Sequence, residues 1–422
     1  MMAALWTVLL ACSGGDDMMP EDTDEGRTTD SAGPAPRDPI TGAEGYVVLG
    51  QAQSSAATLG YGYSDYSTYA FGVTFPDGGG YINLAHCLLL GSVCTDTYPA
   101  SGAVYDTPFD GTRITSQNLD PGLIVAAGVE IPYDNQQGIS VGDGIASGAG
   151  DLSIDGGDLV SYMGSAVFEV LAGGIDGVTP DPMVPVGVSE LDTLTFAWKP
   201  GSSGNLFLSI GERIYGLDDS TGTFELPVAD AGFPPVPISN STVFLSRLTN
   251  TTVDAGGNTF HVESRVDQPF VIEYRASDLT TLVDGTGMAN TCTLAQGLDA
   301  LTPGNYGGTL ADYENSQDLG DYNPITGYSS TGRDGYVRID LQAGQTLEVA
   351  YSQPEGDPVA YLLDSACDEV VAGADDTIVG GFETFTYAAT ADGPVYLTLD
   401  GWDGYMNYPG EEFGFSFTVT GP

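Results

Sequence analysis

Short segments in which polar and apolar residues alternate lie between glycine-rich turns, and this pattern constrains the fold most strongly. Glycine accounts for 59 of the 422 residues. Alternation with a period of two is typical of strands with one buried face, and glycine supplies the backbone conformations that tight turns need. Long helical periodicity is almost absent. The sequence therefore predicts an all-β protein, whose length indicates two or three domains.

The N-terminus contains a short apolar run, Met2–Leu10, whose end overlaps the site Leu9-Leu10-Ala11-Cys12. A transmembrane helix needs about 20 apolar residues, whereas the apolar part of a signal peptide has roughly 7–15. The run resembles the lipobox of bacterial lipoproteins, which implies that residues 1–11 are a signal peptide and that Cys12 carries a lipid anchor. The protein would then be attached to the outer membrane, facing the periplasm or the exterior. An ordinary cysteine in a cleaved signal peptide, or a plain disordered N-terminus, is the alternative.

The chain is strongly acidic, with 58 acidic and 10 basic residues and a net charge of -48. Nucleic acid is therefore excluded as a partner, because its phosphates need cations to neutralise them. Self-repulsion of this size requires counterions or bound divalent cations. Residues 12–42 combine many acidic, Gly and Pro residues with few apolar ones, which predicts a disordered acidic tether.

Four cysteines besides Cys12 are available for disulfides, namely Cys87, Cys94, Cys292 and Cys367. Three pairings are possible in principle. We favour Cys87 with Cys94 and Cys292 with Cys367, because each pair then lies within one predicted domain. A cysteine metal site is the less favoured alternative, since the chain has no close CxxC pair.

Residues 291–422 contain the clearest strand pattern. The segments Tyr336–Leu341, Leu347–Tyr351 and Phe413–Val419 each alternate with a period of two, and stacking their apolar faces gives a β-sandwich. Together with the strand-turn-strand Leu-Gln-Ala-Gly-Gln-Thr-Leu at Leu341–Leu347, they resemble the bacterial pre-peptidase C-terminal (PPC) domain. The resemblance implies a jelly-roll-like β-sandwich that serves binding or secretion rather than catalysis.

Acidic residues near the strand ends of this module are candidate metal ligands. Hard cations such as Ca²⁺ take several oxygen ligands, and Asp334, Asp357, Asp400 and Asp403 are the candidates for a calcium site. The alternative is that these residues only form turns and cap strand ends.

Three aromatic residues, Trp402, Tyr405 and Tyr408, lie in one glycine-rich loop of the same module. Aromatic rings beside carboxylates suit the binding of sugar rings, which predicts a glycan-binding loop. The alternative is that the three rings only pack the loop.

The strand patterns in residues 43–275 predict a second, β-rich domain, which is followed by a linker at residues 276–290. Within it, residues 187–275 suggest an Ig-like subdomain, although the Cys-Trp-Cys pattern is missing. The segments Leu194–Gly201 and Asn205–Ile210 predict a hairpin with a buried Trp198.

Catalytic motifs are scarce. His86 and His261 are the only histidines, and neither lies in a nucleophile motif; we expect His261 to lie on a strand face. The sequence favours a non-catalytic, lipid-anchored protein that binds or adheres to a glycan or an envelope protein, aided by Ca²⁺. A secreted peptidase or glycosidase with its active site in residues 43–275, and a structural envelope protein, are the alternatives.

Overall fold

The structure, a computed structural model, describes residues 39–53, 69–75, 104–106, 119–134, 139–142, 148–164, 168–171, 174–201, 204–210, 213–311, 313, 332–375, 377, 381–401 and 412–421. The predicted signal peptide lies outside these residues. The folded part begins before the predicted boundary at residue 43, because the Ile40 N–H donates to the Asp158 carbonyl (2.9 Å) and the Gly42 N–H to that of Gly257 (2.9 Å).

Nearly all regular structure in the described residues is β, which confirms the predicted fold class. The α-helix found among them, α1, spans Cys292–Ala295. No helix in the described part of the chain has the length and apolar character needed to cross a membrane. The strands are β1 (Glu44–Ala52), β2 (Tyr69–Phe75), β3 (Val104–Asp106), β4 (Ile124–Ala126), β5 (Val129–Ile131), β6 (Tyr133–Asp134), β7 (Ile139–Gly142), β8 (Gly148–Gly150), β9 (Leu152–Ile154), β10 (Tyr162–Met163), β11 (Phe168–Val170), β12 (Val186–Val188), β13 (Thr193–Ala197), β14 (Asn205–Ile210), β15 (Arg213–Leu217), β16 (Thr223–Pro227), β17 (Ile238–Ala255), β18 (Asn258–Arg275), β19 (Thr280–Thr281), β20 (Val283–Asp284), β21 (Gly287–Met288), β22 (Gly304–Thr309), β23 (Gly335–Leu341), β24 (Thr346–Ser352), β25 (Pro358–Leu363), β26 (Val370–Ala374), β27 (Phe382–Ala388), β28 (Gly393–Gly401) and β29 (Glu412–Thr420).

The chain divides into two compact units whose boundaries differ from the predicted ones. The division cuts across the predicted Ig-like subdomain, because strands β17 and β18 are each 18 residues long and contribute to both units. The predicted linker, residues 276–290, contains β19, β20 and β21 of the second unit. The first unit comprises residues 1–184, 195–224 and 243–270, and the second comprises residues 185–194, 225–242 and 271–422.

The first unit is built around a large sheet with the strand order β3-β15-β14-β17-β18-β1-β2-β7-β6. Strand β1 lies inside this sheet, parallel to β18 and antiparallel to β2. Its Val47 and Leu49 share one apolar cluster with Val262 of β18 and with Ile124 and Ile154 of a four-stranded sheet ordered β10-β9-β4-β5. Packing of these two sheets buries the core of the unit.

The predicted hairpin of Leu194–Gly201 and Asn205–Ile210 is wrong. Strand β13 pairs with β16, whereas β14 pairs with β15 and β17. The chain leaves β13 at Trp198, whose indole Nε1 donates to the Asp219 carbonyl (3.1 Å), and the Asp219 carboxylate accepts the N–H of Gly201 (2.9 Å). These contacts hold residues 198–201 beside Asp219, so the chain does not turn back to pair with β13. Trp198 itself is buried, as predicted.

The C-terminal part of the second unit is the predicted β-sandwich. One sheet has the order β19-β22-β29-β24-β27 and the other has the order β23-β28-β25-β26. The inward-facing residues are those that the alternation predicts, which confirms the sandwich. They include Val337, Ile339, Leu347, Val349, Phe413, Phe415 and Phe417.

Part of the opposite face of the four-stranded sheet is also buried, whereas Arg338 and Asp340 on the same face of β23 keep side-chain exposures of 27% and 52%. Tyr336 is 0 % exposed and packs with Tyr361 and Tyr396 in a second apolar cluster, which includes residues of α1. Cys292 of α1 forms the predicted disulfide with Cys367, with Cα atoms 5.9 Å apart. Tyr336 is buried because α1 and this disulfide lie on this part of the face.

Candidate functional site

Three of the four predicted calcium ligands lie at the same end of the four-stranded sheet. Asp334 precedes β23, Asp357 precedes β25, and Asp400 is the penultimate residue of β28. The strand register aligns these three strand ends. Asp334 and Asp400 are completely buried, each 0 % exposed. Asp403, the fourth predicted ligand, lies outside the described residues.

Hydrogen bonds from the other sheet fix this end of the sandwich. The Tyr351 hydroxyl on β24 donates to the Asp400 carbonyl (2.9 Å) and accepts from Gln353 Nε2 (2.7 Å). The Asp400 carboxylate accepts the N–H of Gly401 (2.6 Å). Burial, and after it the charge of Asp400, holds the pKa of Tyr351 well above its usual value. The Tyr351 hydroxyl therefore stays protonated and keeps the two sheets joined here.

Asp357 is a partly buried carboxyl group with a strongly raised pKa. Burial, followed by the negative charges of Asp375 and Glu383, raises the pKa of Asp357 to about 7. Glu383 is itself buried and accepts hydrogen bonds from the N–H (2.7 Å) and the hydroxyl (2.6 Å) of Thr377. The Oδ1 atom of Asp357 is buried without a hydrogen-bond partner among the described residues. Asp357 consequently exchanges its proton near neutral pH.

The predicted calcium site is not formed by carboxylates of the described residues alone. Within the described ranges, no three His, Cys, Asp or Glu side chains are grouped closely enough to hold a metal ion. The site of four carboxylates stays a prediction, because Asp403 belongs to the part of the chain that is not described.

Other predicted site residues also lie outside the described residues: Cys12, Cys87, Cys94, Trp402, Tyr405 and Tyr408. The three aromatic residues belong to the connection 402–411, which joins Gly401 at the end of β28 to Glu412 at the start of β29. These two strands belong to different sheets. The connection therefore joins the two sheets at the end of the sandwich that holds the buried carboxylates.

A buried ion cluster in the first unit is absent from the sequence-based predictions. The Nη2 atom of Arg265 lies 2.7 Å from Asp267 Oδ1, and its Nη1 atom lies 3.3 Å from Glu263 Oε1. Nη2 also donates to the Ser246 hydroxyl (2.9 Å), and the guanidinium lies 5.4 Å from the ring centroid of Phe207. The charged side chains are at most 2 % exposed. Their burial indicates a structural role, and the sequence signal was the alternation Glu263-x-Arg265-x-Asp267 on one strand.

His261 lies on a strand face of β18, as predicted. Its Nε2 atom is 2.8 Å from Glu44 Oε1, and its ring stacks on Tyr46 with centroids 5.0 Å apart. Its Nδ1 atom lies 3.4 Å from the Thr252 hydroxyl. Both ring nitrogens therefore face polar groups of neighbouring strands, while His86 lies outside the described residues.

No protein-family model matches the chain, and no curated protein has a significantly similar sequence. Among solved structures, a carbohydrate-binding module of a Cellvibrio mixtus lichenase in complex with cellotriose is 11% identical, covers 29% of this chain and 99% of its own, and has a TM-score of 0.16. The secreted serine protease VesC from Vibrio cholerae is 8% identical, covers 78% and 77%, and has a TM-score of 0.18. A Clostridium perfringens ZmpB fragment with a carbohydrate-binding module in complex with GlcNAc is 9% identical, covers 55% and 47%, and has a TM-score of 0.16. TM-scores this low do not assign a ligand or an activity to this chain.

Proposed function

We propose that the chain is a non-catalytic binding protein of a bacterial cell envelope, which binds a glycan or an envelope protein with the aid of Ca²⁺. The observation that carries the proposal is the position of the connection 402–411. It joins two sheets at the end of a sandwich where buried hydrogen bonds hold the strands in place. Loops on a rigid sandwich are common sites of ligand binding.

The composition of this connection suits a polar ring-shaped ligand. Trp402, Tyr405 and Tyr408 offer aromatic faces, while Asp403 and Glu411 offer hydrogen-bond acceptors within the same ten residues. Aromatic rings provide a large apolar contact area, and carboxylates accept hydrogen bonds from hydroxyl groups. A sugar presents both kinds of surface, so a glycan is the ligand that we favour.

The Cys292–Cys367 disulfide supports a location outside the cytosol, because structural disulfides persist in oxidising compartments. We propose that a lipid on Cys12 attaches the protein to the outer membrane. Each buried methylene of such a lipid contributes about 0.8 kcal/mol, so several acyl chains hold the protein firmly. The net charge of -48 gives the chain no electrostatic attraction to anionic lipid headgroups.

A glycan array with the full-length protein tests the binding role. Replacing Trp402 with Ala should weaken the signal for bound glycans about tenfold, which corresponds to about 1.4 kcal/mol. Trp402→Phe, which keeps an aromatic ring, should retain most of the signal. An unchanged signal in Trp402→Ala would rule out the connection 402–411 as the glycan-binding loop.

Fractionation of cells tests the anchor. Cys12→Ser removes the sulfur that would carry the lipid, so we expect the variant to leave the membrane fraction. Cys87→Ser, which leaves Cys12 intact, is the matched control and should stay in that fraction. Persistent membrane association of Cys12→Ser would contradict lipid anchoring.

A further inference from the structure

The first strand of the fold lies beside the strand that leads into the second unit, and the two run in the same direction. Strand β1 pairs in parallel with β18 over its whole length of nine residues, without a register shift. Hydrogen bonds continue past both ends of this pairing, since the Thr259 N–H donates to the Ala43 carbonyl (2.9 Å) and the Gln53 N–H donates to the Asp267 carbonyl (2.8 Å). The two strands are therefore joined by one long, continuous ladder.

Side chains also join these two strands along the ladder. Val47 and Leu49 of β1 are 0 % exposed and share an apolar cluster with Val262 of β18. At the start of the pairing, Glu44 Oε1 lies 2.8 Å from Nε2 of His261. Separation of β1 from β18 therefore exposes apolar surface to water in addition to breaking backbone hydrogen bonds, and both effects stabilise the pair.

The residues just before β1 are fixed at the turn that joins β17 to β18. The Asn258 side chain holds them at two points, because its Oδ1 atom accepts the Ala43 N–H (3.0 Å) and its Nδ2 atom donates to the Ile40 carbonyl (3.3 Å). The chain that follows the predicted tether therefore enters the first unit at the beginning of β18. From there β1 runs in the direction of residue 271, where the second unit takes over β18.

The direction of the two strands decides how a pulling force acts on their hydrogen bonds. A force on the tether acts at the start of β1. The opposing force from the second unit acts at the far end of β18, since residues 271–275 of this strand belong to that unit. In parallel strands, these two forces slide β1 along β18, so the evenly spaced bonds of the ladder share the load. Forces applied at the same end of both strands would instead break the bonds one after another.

We propose that the β1–β18 pair is a mechanical clamp, which transmits tension between the N-terminal tether and the second unit while the first unit stays folded. This inference rests on the proposed function, because tension arises only when the chain is anchored at Cys12 and the second unit holds a ligand. It adds that this ligand is attached to a surface, since a freely diffusing ligand exerts no pull. The strength of the clamp is measured without lipid or ligand, so either proposal can fail alone.

Single-molecule force spectroscopy of the full-length chain tests the clamp. With handles on the N-terminus and the C-terminus, the separation of β1 from β18 should give a distinct force peak. Residues 43–184, the part of the first unit that precedes the second unit, are then released and should lengthen the chain by about 50 nm at about 3.3–3.6 Å per residue.

A second pulling geometry loads the same bonds in a different way. Thr259 is an exposed residue at the beginning of β18, so an azide-bearing amino acid at this position can hold the second handle. Pulling between this handle and the N-terminus applies both forces at the same end of the ladder. Separation of the strands should then need less than about half the force, because the ladder bonds break in sequence.

A matched pair of variants separates the clamp from the general stability of the core. Val47→Ala and Val129→Ala each shorten a buried valine of the same apolar cluster, but Val47 lies on β1 and Val129 lies on β5 of the other sheet. Both variants should lower the melting temperature of the first unit. Val47→Ala should also lower the force peak, whereas Val129→Ala should leave it unchanged, because β5 pairs with neither strand of the clamp.

Three results would overturn the proposal. Equal separation forces in the two pulling geometries would show that the direction of the strands gives the first unit no protection. Gradual lengthening by residues 43–184 without a force peak would show that β1 separates from β18 under little load. An equal loss of force in the two valine variants would place the resistance in the apolar core instead of the ladder.

Discussion

Replacing Asp357 with Asn should remove a pH-dependent loss of stability from the C-terminal sandwich. Burial, with the charges of Asp375 and Glu383, raises the pKa of Asp357 from 3.8 to about 7 in the folded protein. Below about pH 4 the group is protonated in both states and has no effect on stability. As the pH rises from about 4 to about 7, the unfolded state ionises first and the folded state loses stability; above about 7 the loss is constant.

The size of this loss follows from the change in pKa. One pKa unit corresponds to about 1.4 kcal/mol, so the whole change corresponds to about 4 kcal/mol. Asp357 is only partly buried, and water screens its interactions. We therefore expect the free energy of unfolding to fall by about 1–2 kcal/mol across this pH range, and Asn at this position to abolish that fall.

Urea unfolding in EDTA, followed by circular dichroism, measures the effect. Asp357→Asn and wild type should have equal stability at about pH 4, and the variant should be more stable by about 1–2 kcal/mol at about pH 8. Glu383→Gln removes one of the neighbouring charges and should weaken the pH dependence in part. Glu355→Gln, an exposed change two residues away, is the control. A stability difference between Asp357→Asn and wild type that does not grow with pH would refute the reasoning.

Three further substitutions probe the packing. Arg265→Met leaves two carboxylates buried without their guanidinium and should cost about 3–5 kcal/mol in urea unfolding; no loss would mean that the cluster is not a structural one. Replacing Cys292 and Cys367 together with Ser opens a loop with a sequence separation of 75 and should cost about 4 kcal/mol, with the same value expected for the wild type under reducing conditions. A Cβ on Gly45 would lie 2.3 Å from the Phe260 ring, so Gly45→Ala should lower the stability of the first unit by about 1–3 kcal/mol, and an unchanged melting temperature would show that the ring moves aside freely.

The sequence predicts the C-terminal sandwich well because its strands have one clear apolar face. Alternation alone identified the inward residues of β23, β24 and β29, and these residues form the core between the two sheets. The Cys292–Cys367 pair followed from its location in one module. The placement of Asp334, Asp357 and Asp400 next to strand ends was also predictable.

Pairing between distant strands was not predictable from local patterns. Alternation says which residues share a face, but not which strands are neighbours, so β13 and β14 were wrongly joined. The burial of Tyr336 depends on a helix that covers the sheet from another part of the chain. For the same reason the pairing of Tyr361 with Thr398 was not predictable, because only the strand register brings these two residues together.

The parallel pairing of β1 with β18 affects the order in which the protein is assembled during synthesis. Ala43 and its partner Asn258, at the start of this pairing, are 215 residues apart. At about 5–20 residues per second, a ribosome makes β18 about 10–40 s after β1. Strand β2 can pair with one edge of β1 early in synthesis. The other edge of β1 keeps unpaired backbone N–H and C=O groups until β18 is made, and such groups readily pair with strands of other chains. The nascent chain therefore needs protection from aggregation until β18 has been synthesised.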